Sequence, residues 1–168
     1  MQVLFQMKQI YLGGKYGSVI GNYALVDDED FEELNKHKWY CSKDHLTFYA
    51  MRMKRRRGKS SESFAMHRVI LGIHGMKILG DHRDRNGLNN QRFNLRKCTH
   101  AQNMQNRSSV KCSGSKYLGV TWNKSLRKWK TTIGSTYLGY YLEEAQAAMA
   151  YDIEAVKRYG EFANLNFK

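Results

Sequence analysis

The amino-acid sequence predicts an α+β protein of two units, in which short strands outnumber helices. The first half of the chain contains short runs of alternating polar and apolar residues, which is the period of a β-strand. A polar segment with Gly and Ser at 108–114 is typical of a linker. Beyond it, three further short runs precede one amphipathic stretch, which predicts a small three-stranded antiparallel sheet packed on one helix. A length of 168 residues suits one sizeable domain or two small ones.

Positive charge is concentrated in the middle of the chain. The net charge is +13, with a pI near 9.7. Residues 1–51 carry 5 Lys and Arg against 7 Asp and Glu, residues 52–107 carry 14 against 3, and residues 108–168 carry 9 against 5. This excess predicts attraction to a polyanion such as a nucleic acid. No apolar run is long enough for a transmembrane helix, so no membrane partner is expected.

Residues 1–66 are predicted to form a β-rich region with a basic hairpin. The segment 23–26 has the composition of a strand, and the acidic run 27–30 marks a turn and the start of a short helix. Residues 48–54 alternate between polar and apolar side chains, and a second apolar run returns after 55–61. This pattern predicts a hairpin whose turn lies at 55–61.

The tip of this hairpin carries a dense group of cations. In one interpretation a two-stranded ribbon enters a DNA groove, where arginines meet phosphates and base edges. In the other, the charge only keeps the hairpin soluble. The first is favoured because four Arg or Lys residues fall within positions 55–59. The DNA contacts expected here are Arg52, Lys54, Arg55, Arg56, Arg57 and Lys59.

The clearest chemistry lies in the segment 67–107. Asp81 and His82 end a predicted strand, and Asn94 lies on the strand that returns after a loop rich in Asn and Gly. A helix-capping pattern then places Asn103 in the first turns of a helix. A carboxylate, an imidazole and two carboxamides can converge in this arrangement. They suffice for one divalent cation and one general base.

This segment resembles the HNH nuclease motif, in the Asp-His…Asn…Asn version of phage homing endonucleases. The resemblance implies a ββα-metal fold in which His82 is the general base that activates a water, and Asn94 accepts a hydrogen bond from the other nitrogen of His82. It implies Asp81 and Asn103 as ligands of one divalent cation, and such an oxygen-rich site suits magnesium or manganese better than zinc. The alternative, ordinary turn residues, is disfavoured because all four match in type and spacing.

The cysteines and the remaining histidines are assigned no catalytic role. Cys41, Cys98 and Cys112 lack the Cys-x-x-Cys pairing of a structural zinc site, so three reduced thiols and no structural zinc are expected. His67, in an apolar stretch, is interpreted as a structural hydrogen-bonding residue, and His100 is a weak candidate for a phosphate contact. Reduced thiols and a phage-type motif are expected of a protein in the cytoplasm of a bacterial host.

A second unit is predicted over 115–168, after the linker at 108–114. Its predicted elements are three strands and a helix, at 117–123, 128–133, 136–141 and 143–159. The spacing on the helix predicts one buried face, on which small alanines allow close approach to the sheet. The residues of that face are Ala145, Ala148, Met149, Asp152, Ala155, Val156 and Tyr159.

This second unit resembles the Apetala/ethylene-response-factor DNA-binding domain. The matching pieces are Tyr117-x-Gly-Val-x-Trp122, Trp129-x-x-x-Ile133, Tyr137-Leu-Gly139, Ala147-Ala-x-Ala-Tyr-Asp152 and Ala163-x-x-Asn166-Phe167. In that family the sheet lies in the major groove. The resemblance therefore implies DNA contacts through Thr121, Trp122, Lys124, Arg127, Trp129 and Tyr137. As an alternative, one of the two tryptophans is expected in the core, because so small a domain needs aromatic burial.

Together the two resemblances imply a metal-dependent, site-specific DNA endonuclease of the homing type. One active site cuts one strand, so a monomer or weak dimer is expected to nick DNA. The runner-up is a DNA-binding regulator whose nuclease centre is vestigial. A third interpretation is a nuclease directed at RNA or at a particular nucleic-acid structure.

Overall fold

The computed structural model describes residues 7–19, 21–44, 47–56, 59–105 and 114–167. The chain divides into two units, Met1–His100 and Ala101–Lys168. Several sheets accompany few helices, so the predicted α+β class is confirmed. The predicted linker at 108–114 lies, apart from Gly114, outside the described residues. No helix within these ranges is long and apolar enough to cross a membrane.

A five-stranded sheet forms the body of the first unit. Its strands are β1 (Met7–Gly13), β2 (Tyr23–Asp27), β3 (Trp39–Asp44), β4 (Thr47–Arg56) and β5 (Lys59–Ala65). Their order in the sheet is β2-β1-β3-β4-β5, with β1 and β3 parallel and the other neighbours antiparallel. The predicted strand at 23–26 is confirmed, and the predicted hairpin is present as β4 and β5. Its predicted turn at 55–61 is too long, because β4 extends to Arg56 and β5 begins at Lys59.

Alternation along the strands gives this sheet its buried face. On β1, Ile10 and Leu12 are buried and their immediate neighbours are exposed. Leu34 comes from helix α1 (Asp28–Asn35), which begins on the acidic run as predicted. The buried side chains form one apolar cluster, made of Ile10, Leu12, Ala24, Val26, Leu34, Trp39, Cys41, Ala50, Met66 and Leu88.

The segment after β5 contains α2 (Met66–Ile70), β6 (Leu79–His82), β7 (Leu95–Cys98) and α3 (His100–Gln105). β6 and β7 form an antiparallel pair, in which Asp81 lies opposite Arg96 and His82 lies opposite Leu95. The predicted order of strand, loop, strand and helix is therefore present. Asn94 differs from its predicted place, because the returning strand begins at Leu95 and Asn94 ends the loop.

The loop between β6 and β7 is anchored to the first sheet. The main chain of Leu25, on β2, bonds to that of Leu88 and to that of Asn90, at 2.8 Å each. At the end of β2, the buried Asp27 carboxylate accepts the Arg92 amide at 2.7 Å. The β-rich region therefore supports the loop directly, within one unit.

The second unit contains β8 (Val120–Asn123), β9 (Lys128–Ile133), β10 (Thr136–Tyr141) and α4 (Glu144–Tyr159). The three strands form an antiparallel sheet in the order β10-β9-β8, as the strand pattern predicts. Helix α4 covers one face of this sheet, where the Thr131 hydroxyl donates to the Ala147 carbonyl at 3.0 Å.

The buried face of α4 differs from the prediction. Ala147, Ala148 and Ala155 are fully buried, whereas Met149 is 55% exposed and Val156 is 49% exposed. Methyl side chains allow the helix axis to approach the sheet closely, so the alanines take the contact and the larger side chains turn away. The predicted burial of Met149 and Val156 is therefore wrong.

Candidate active site

Asp81 and His82 lie at the buried end of β6. Their exposed fractions are 6% and 5%. Consecutive strand residues point to opposite faces, so Asp81 faces Arg96 while His82 lies on the side of Leu95. The two residues with the clearest predicted chemistry are neighbours in the chain, but each has its own surroundings.

Arg96 holds the Asp81 carboxylate in a buried ion pair. Arg96 Nε and Nη2 each lie 2.7 Å from Asp81 Oδ2, and both side chains are almost wholly covered. Buried charges are costly unless they are paired, so each of these charges depends on the other. Sequence reasoning missed Arg96, which the register of β6 and β7 places opposite Asp81.

His82 is hydrogen-bonded to Asn90. His82 Nε2 lies 3.4 Å from Asn90 Oδ1. A carboxamide oxygen only accepts, so in the neutral imidazole Nε2 carries the proton and the lone pair lies on Nδ1. Asn90 is fully buried, and its main chain makes the bond to Leu25 that anchors the loop. Sequence reasoning missed Asn90, because several asparagines in one loop carry no signal of which one faces inward.

The predicted hydrogen bond between His82 and Asn94 is wrong. Asn94 Oδ1 accepts the Asp84 amide at 3.0 Å, and Asn94 Nδ2 donates to Asp84 Oδ1 at 2.9 Å and to the Asn89 carbonyl at 2.8 Å. The Asn94 carbonyl also accepts the Arg83 amide at 2.9 Å. The reason is positional, since a residue that ends the loop uses its carboxamide to close that loop.

Burial keeps the His82 imidazole uncharged. Desolvation lowers the pKa of His82, and the hydrogen bond with Asn90 and the nearby carboxylates of Asp84 and Asp81 oppose this shift only in part. The net direction is downward, so the neutral form prevails at neutral pH. A neutral imidazole can accept a proton from water.

Two further rings lie against His82, and they come from different elements. The ring centroid of His67, on α2, is 4.9 Å from that of His82, and the centroid of Tyr49, on β4, is 5.8 Å away. Among the described residues, the His67 side chain makes these ring contacts and no hydrogen bond. The prediction that the His67 side chain makes a structural hydrogen bond is therefore wrong within the described residues.

The structure describes both predicted metal ligands, Asp81 and Asn103. Asp81 is paired with Arg96, and Asn103 lies half-buried on α3, within the second unit. The role of Asn103 stays a prediction. Across the described ranges, no group of three or more His, Cys, Asp or Glu side chains is arranged to hold a metal. Cys41 and Cys98 are buried free thiols, and Cys112 lies outside those ranges.

The basic hairpin is described only in part. Arg52 lies across two rings, with its guanidinium carbon 5.5 Å from the Trp39 centroid and 5.2 Å from that of Phe64. This cation–π packing is the observed role of Arg52, while Lys54 is exposed. Contacts of both with DNA stay predictions. The remaining predicted contacts lie outside the described residues, namely the side chains of Arg55, Arg56 and Lys59 and the whole of Arg57.

The strand register divides the predicted contacts of the second unit between two faces of the sheet. Trp122 and Trp129 pair across the strands, with ring centroids 4.9 Å apart, on the same face as Val120. Trp129 packs against the core beneath α4, so the alternative that one tryptophan belongs to the core is confirmed for Trp129. Thr121 points to the opposite face. The two tryptophans therefore cannot share one DNA-contacting face with Thr121.

The outer face of this sheet is basic and aromatic. Lys130 lies between Thr121 on one side and Tyr140 on the other. Tyr137 and Tyr140 are exposed, and their ring centroids are 5.4 Å apart. Lys130 and Tyr140 are absent from the predicted contacts, although counting alternate residues from Thr121 across the register would have found Lys130. The other predicted contacts of this unit, Lys124 and Arg127, lie in the turn between β8 and β9.

Comparison with known proteins identifies the family. No protein-family model and no solved structure matches the chain. An uncharacterised HNH endonuclease of Acanthamoeba polyphaga mimivirus is 30% identical over 152 residues, which cover 87% of this chain and 75% of the relative. The chain belongs to the HNH endonuclease family. The HNH part of the predicted resemblance is confirmed, and the homing type and the C-terminal DNA-binding domain stay predictions.

The imidazole at the end of β6 has the properties of a proton acceptor. An imidazole that is kept neutral by burial and oriented by a carboxamide is suited to take a proton from water. In this HNH endonuclease the orienting carboxamide is that of Asn90. The carboxamide of Asn94 affects His82 only indirectly, because it closes the loop that carries Asn90.

Proposed function

We propose that this HNH endonuclease hydrolyses phosphodiester bonds of double-stranded DNA, with His82 as the general base. The observation that carries the proposal is the buried, uncharged imidazole beside the Asp81 carboxylate at the end of β6. The description of the relative as an HNH endonuclease and the basic middle of the chain support a nucleic-acid substrate.

The reaction begins with proton transfer to His82. Nδ1 accepts a proton from a water molecule while that water attacks the phosphorus atom in line with the departing oxygen. The bond from phosphorus to the 3′ oxygen breaks, the departing 3′ oxygen takes a proton from solvent, and the products are a 5′-phosphate and a 3′-hydroxyl. His82 then releases its proton to solvent. Asn90 holds the proton of the imidazole on Nε2, so that Nδ1 is the basic atom.

One divalent cation is the proposed cofactor. Asp81 offers a carboxylate and Asn103 a carboxamide oxygen, and hard oxygen donors of this kind suit magnesium or manganese. Bound there, such a cation would polarise the phosphoryl group and would stabilise charge on the departing oxygen.

The second unit and the basic hairpin are proposed to hold the DNA, as in a site-specific enzyme of the homing type. The outer face of the sheet brings Lys130 between Thr121 and Tyr140, with Tyr137 beside them, so cations and aromatic rings share one exposed surface. A strand surface of this chemistry can contact phosphates and base edges in a groove. The resemblance to the Apetala/ethylene-response-factor domain supports this use of the sheet.

Plasmid nicking tests the proposed activity. We expect the protein with magnesium to convert supercoiled plasmid into open circles, and we expect a chelator or Asp81→Asn to abolish the conversion. Glu32→Gln, an exposed acid on α1, is the matched control and leaves the rate unchanged. Binding of the plasmid without nicking, in both magnesium and manganese, would overturn the proposal.

One observation favours the runner-up, a DNA-binding regulator with a vestigial centre. The Asp81 carboxylate is already neutralised by Arg96, as it would be if its role were structural. In that case Asp81→Asn lowers stability and leaves the behaviour of the protein toward DNA unchanged.

A competition experiment tests the third interpretation, a nuclease directed at RNA. Duplex DNA and RNA compete for the protein at one fixed salt concentration, because a change of salt alone alters the apparent preference.

A further inference from the structure

Three rings from three elements meet around the proposed base. The centroids of His67 and His82 are 4.9 Å apart with their planes inclined by 76°, so the edge of one ring meets the face of the other. Tyr49 completes the group, at 5.6 Å from His67 and 5.8 Å from His82. Each ring in this group, called here the ring cluster, touches the other two.

Two glycines allow the ring cluster to close. A Cβ atom on Gly80 would lie 2.5 Å from His67 Cδ2, and a Cβ atom on Gly87 would lie 2.6 Å from Tyr49 Cδ1. Real Cβ atoms do not approach other atoms so closely. A larger residue at Gly80 would push the His67 ring away, and one at Gly87 would meet the Phe48 carbonyl oxygen as well as the Tyr49 ring. Gly80 precedes the Asp81-His82 pair and Gly87 lies in the loop that carries Asn90, which ties the ring cluster to the site.

The chemistry of His67 suits a place beside a base. His67 is only 9% exposed. Burial, with smaller contributions from His82 and Arg68, lowers the pKa of His67 to about 3, so this ring stays uncharged. A protonated neighbour would oppose proton uptake by His82, and an uncharged ring does not.

Besides its hydrogen bond to Asn90 at 3.4 Å, the His82 imidazole is packed against the His67 and Tyr49 rings, and this packing limits rotation of the imidazole plane. We propose that His67 and Tyr49 are positioning residues, which hold the His82 ring in the orientation that proton transfer needs. This inference rests on the proposed function, because it assumes that His82 is the base. Neither residue is assigned a contact with DNA, so both act through His82.

Leucine variants of the two positioning residues test the inference. His67→Leu and Tyr49→Leu should each lower the single-turnover rate about 10- to 100-fold, since small displacements of reacting groups have effects of that size. The dissociation constant for plasmid DNA should stay within about twofold of the wild-type value. Tyr49→Phe keeps the ring and should recover most of the rate that Tyr49→Leu loses. Tyr16→Leu, which removes a ring that contacts Phe48 in the same unit, is the matched control.

The outcomes separate this inference from the proposed function. If His82→Ala is inactive while Tyr49→Leu and His67→Leu cut at the wild-type rate, the positioning role is wrong and the base assignment stands. If His82→Ala cuts normally, both are wrong. Should the leucine variants fail to fold, carbon relaxation of the His82 ring in the wild-type protein decides. An order parameter near the rigid-backbone value of about 0.85 supports positioning, and a freely moving ring overturns it.

Discussion

At the scale of single residues, three different physical effects act on the His82 side chain. Burial keeps its imidazole neutral, Asn90 selects the nitrogen that carries the proton, and the ring cluster restrains the ring plane. For Asp81 the main effect is an ion pair, because the Arg96 guanidinium offsets the buried charge of its carboxylate. The two members of the Asp-His pair can therefore be perturbed separately, which makes their roles separable by experiment.

His67 should couple the stability of the first unit to pH. Its pKa is about 3 in the folded chain against an ordinary value of 6.5, so its contribution is fully present above pH 6.5 and is lost as the pH falls toward 3. Between pH 7 and pH 5 this loss amounts to about 2 kcal/mol. In urea unfolding, His67→Leu should therefore lose about 2 kcal/mol less than the wild type over this interval. An equal loss in both proteins would contradict the burial of an uncharged His67, and His74→Leu, at an exposed site, is the control.

Arg96→Leu should destabilise the first unit strongly. The substitution removes the cation that pairs with the buried Asp81 carboxylate, which costs about 3–5 kcal/mol. The double variant Asp81→Leu with Arg96→Leu should recover much of that loss. Urea unfolding in a double-mutant cycle measures the difference. Arg158→Leu, which breaks a half-exposed pair with Glu154, should cost at most about 1 kcal/mol. Additive losses at Asp81 and Arg96 would show that the ion pair is not formed in solution.

At the scale of elements, the loop between β6 and β7 takes its shape from both of its ends and from β2. Asn94 closes the loop on Asp84 and Asn89, and Asp27 fixes the segment that enters β7. The acidic run at the start of α1 continues this support, since Arg92 pairs with Asp30 at 2.7 Å. Asn90 is therefore held from several sides.

Asp27→Ala should loosen this loop. The variant loses the acceptor of the Arg92 amide, and a hydrogen bond to a charged group contributes about 1.5–3 kcal/mol. Hydrogen exchange of the Arg92 amide should become at least about tenfold faster, and the nicking rate should fall while DNA affinity is kept. Asp28→Ala, at the exposed neighbouring acid that pairs with Lys8, should leave this amide unchanged. Equal exchange in Asp27→Ala and the wild type would mean that Asp27 does not hold the loop.

The two faces of the β8–β10 sheet should respond differently to substitution. Lys130→Ala on the outer face is expected to weaken DNA binding for all sequences and to lower the salt dependence of binding by about one unit of slope, without a change in thermal stability. Lys157→Ala, an exposed cation on α4, should have a smaller effect. Equal effects of the two variants on binding would show that the outer face has no special contact with DNA.

At the scale of the whole molecule, the sequence predicts what local spacing determines. The alternation of polar and apolar residues predicted the hairpin of β4 and β5. The short apolar run before Asp81 predicted that a strand ends at the Asp-His pair, as β6 does. The inward residue of the loop was missed because Asn90 is placed by Leu25, which is far away in the chain. The DNA contacts of the second unit were assigned by resemblance. Alternation of side chains along β8 is enough to place Thr121 and Trp122 on opposite faces of the sheet.

The central claim is that His82 takes the proton from the attacking water, and its most direct test is the single-turnover nicking rate of His82→Ala at saturating protein. A general base contributes about 10²- to 10⁴-fold, so the rate of the folded variant should fall at least 100-fold while its plasmid binding is kept. A rate within a few-fold of the wild-type value, in a folded variant, would contradict the claim.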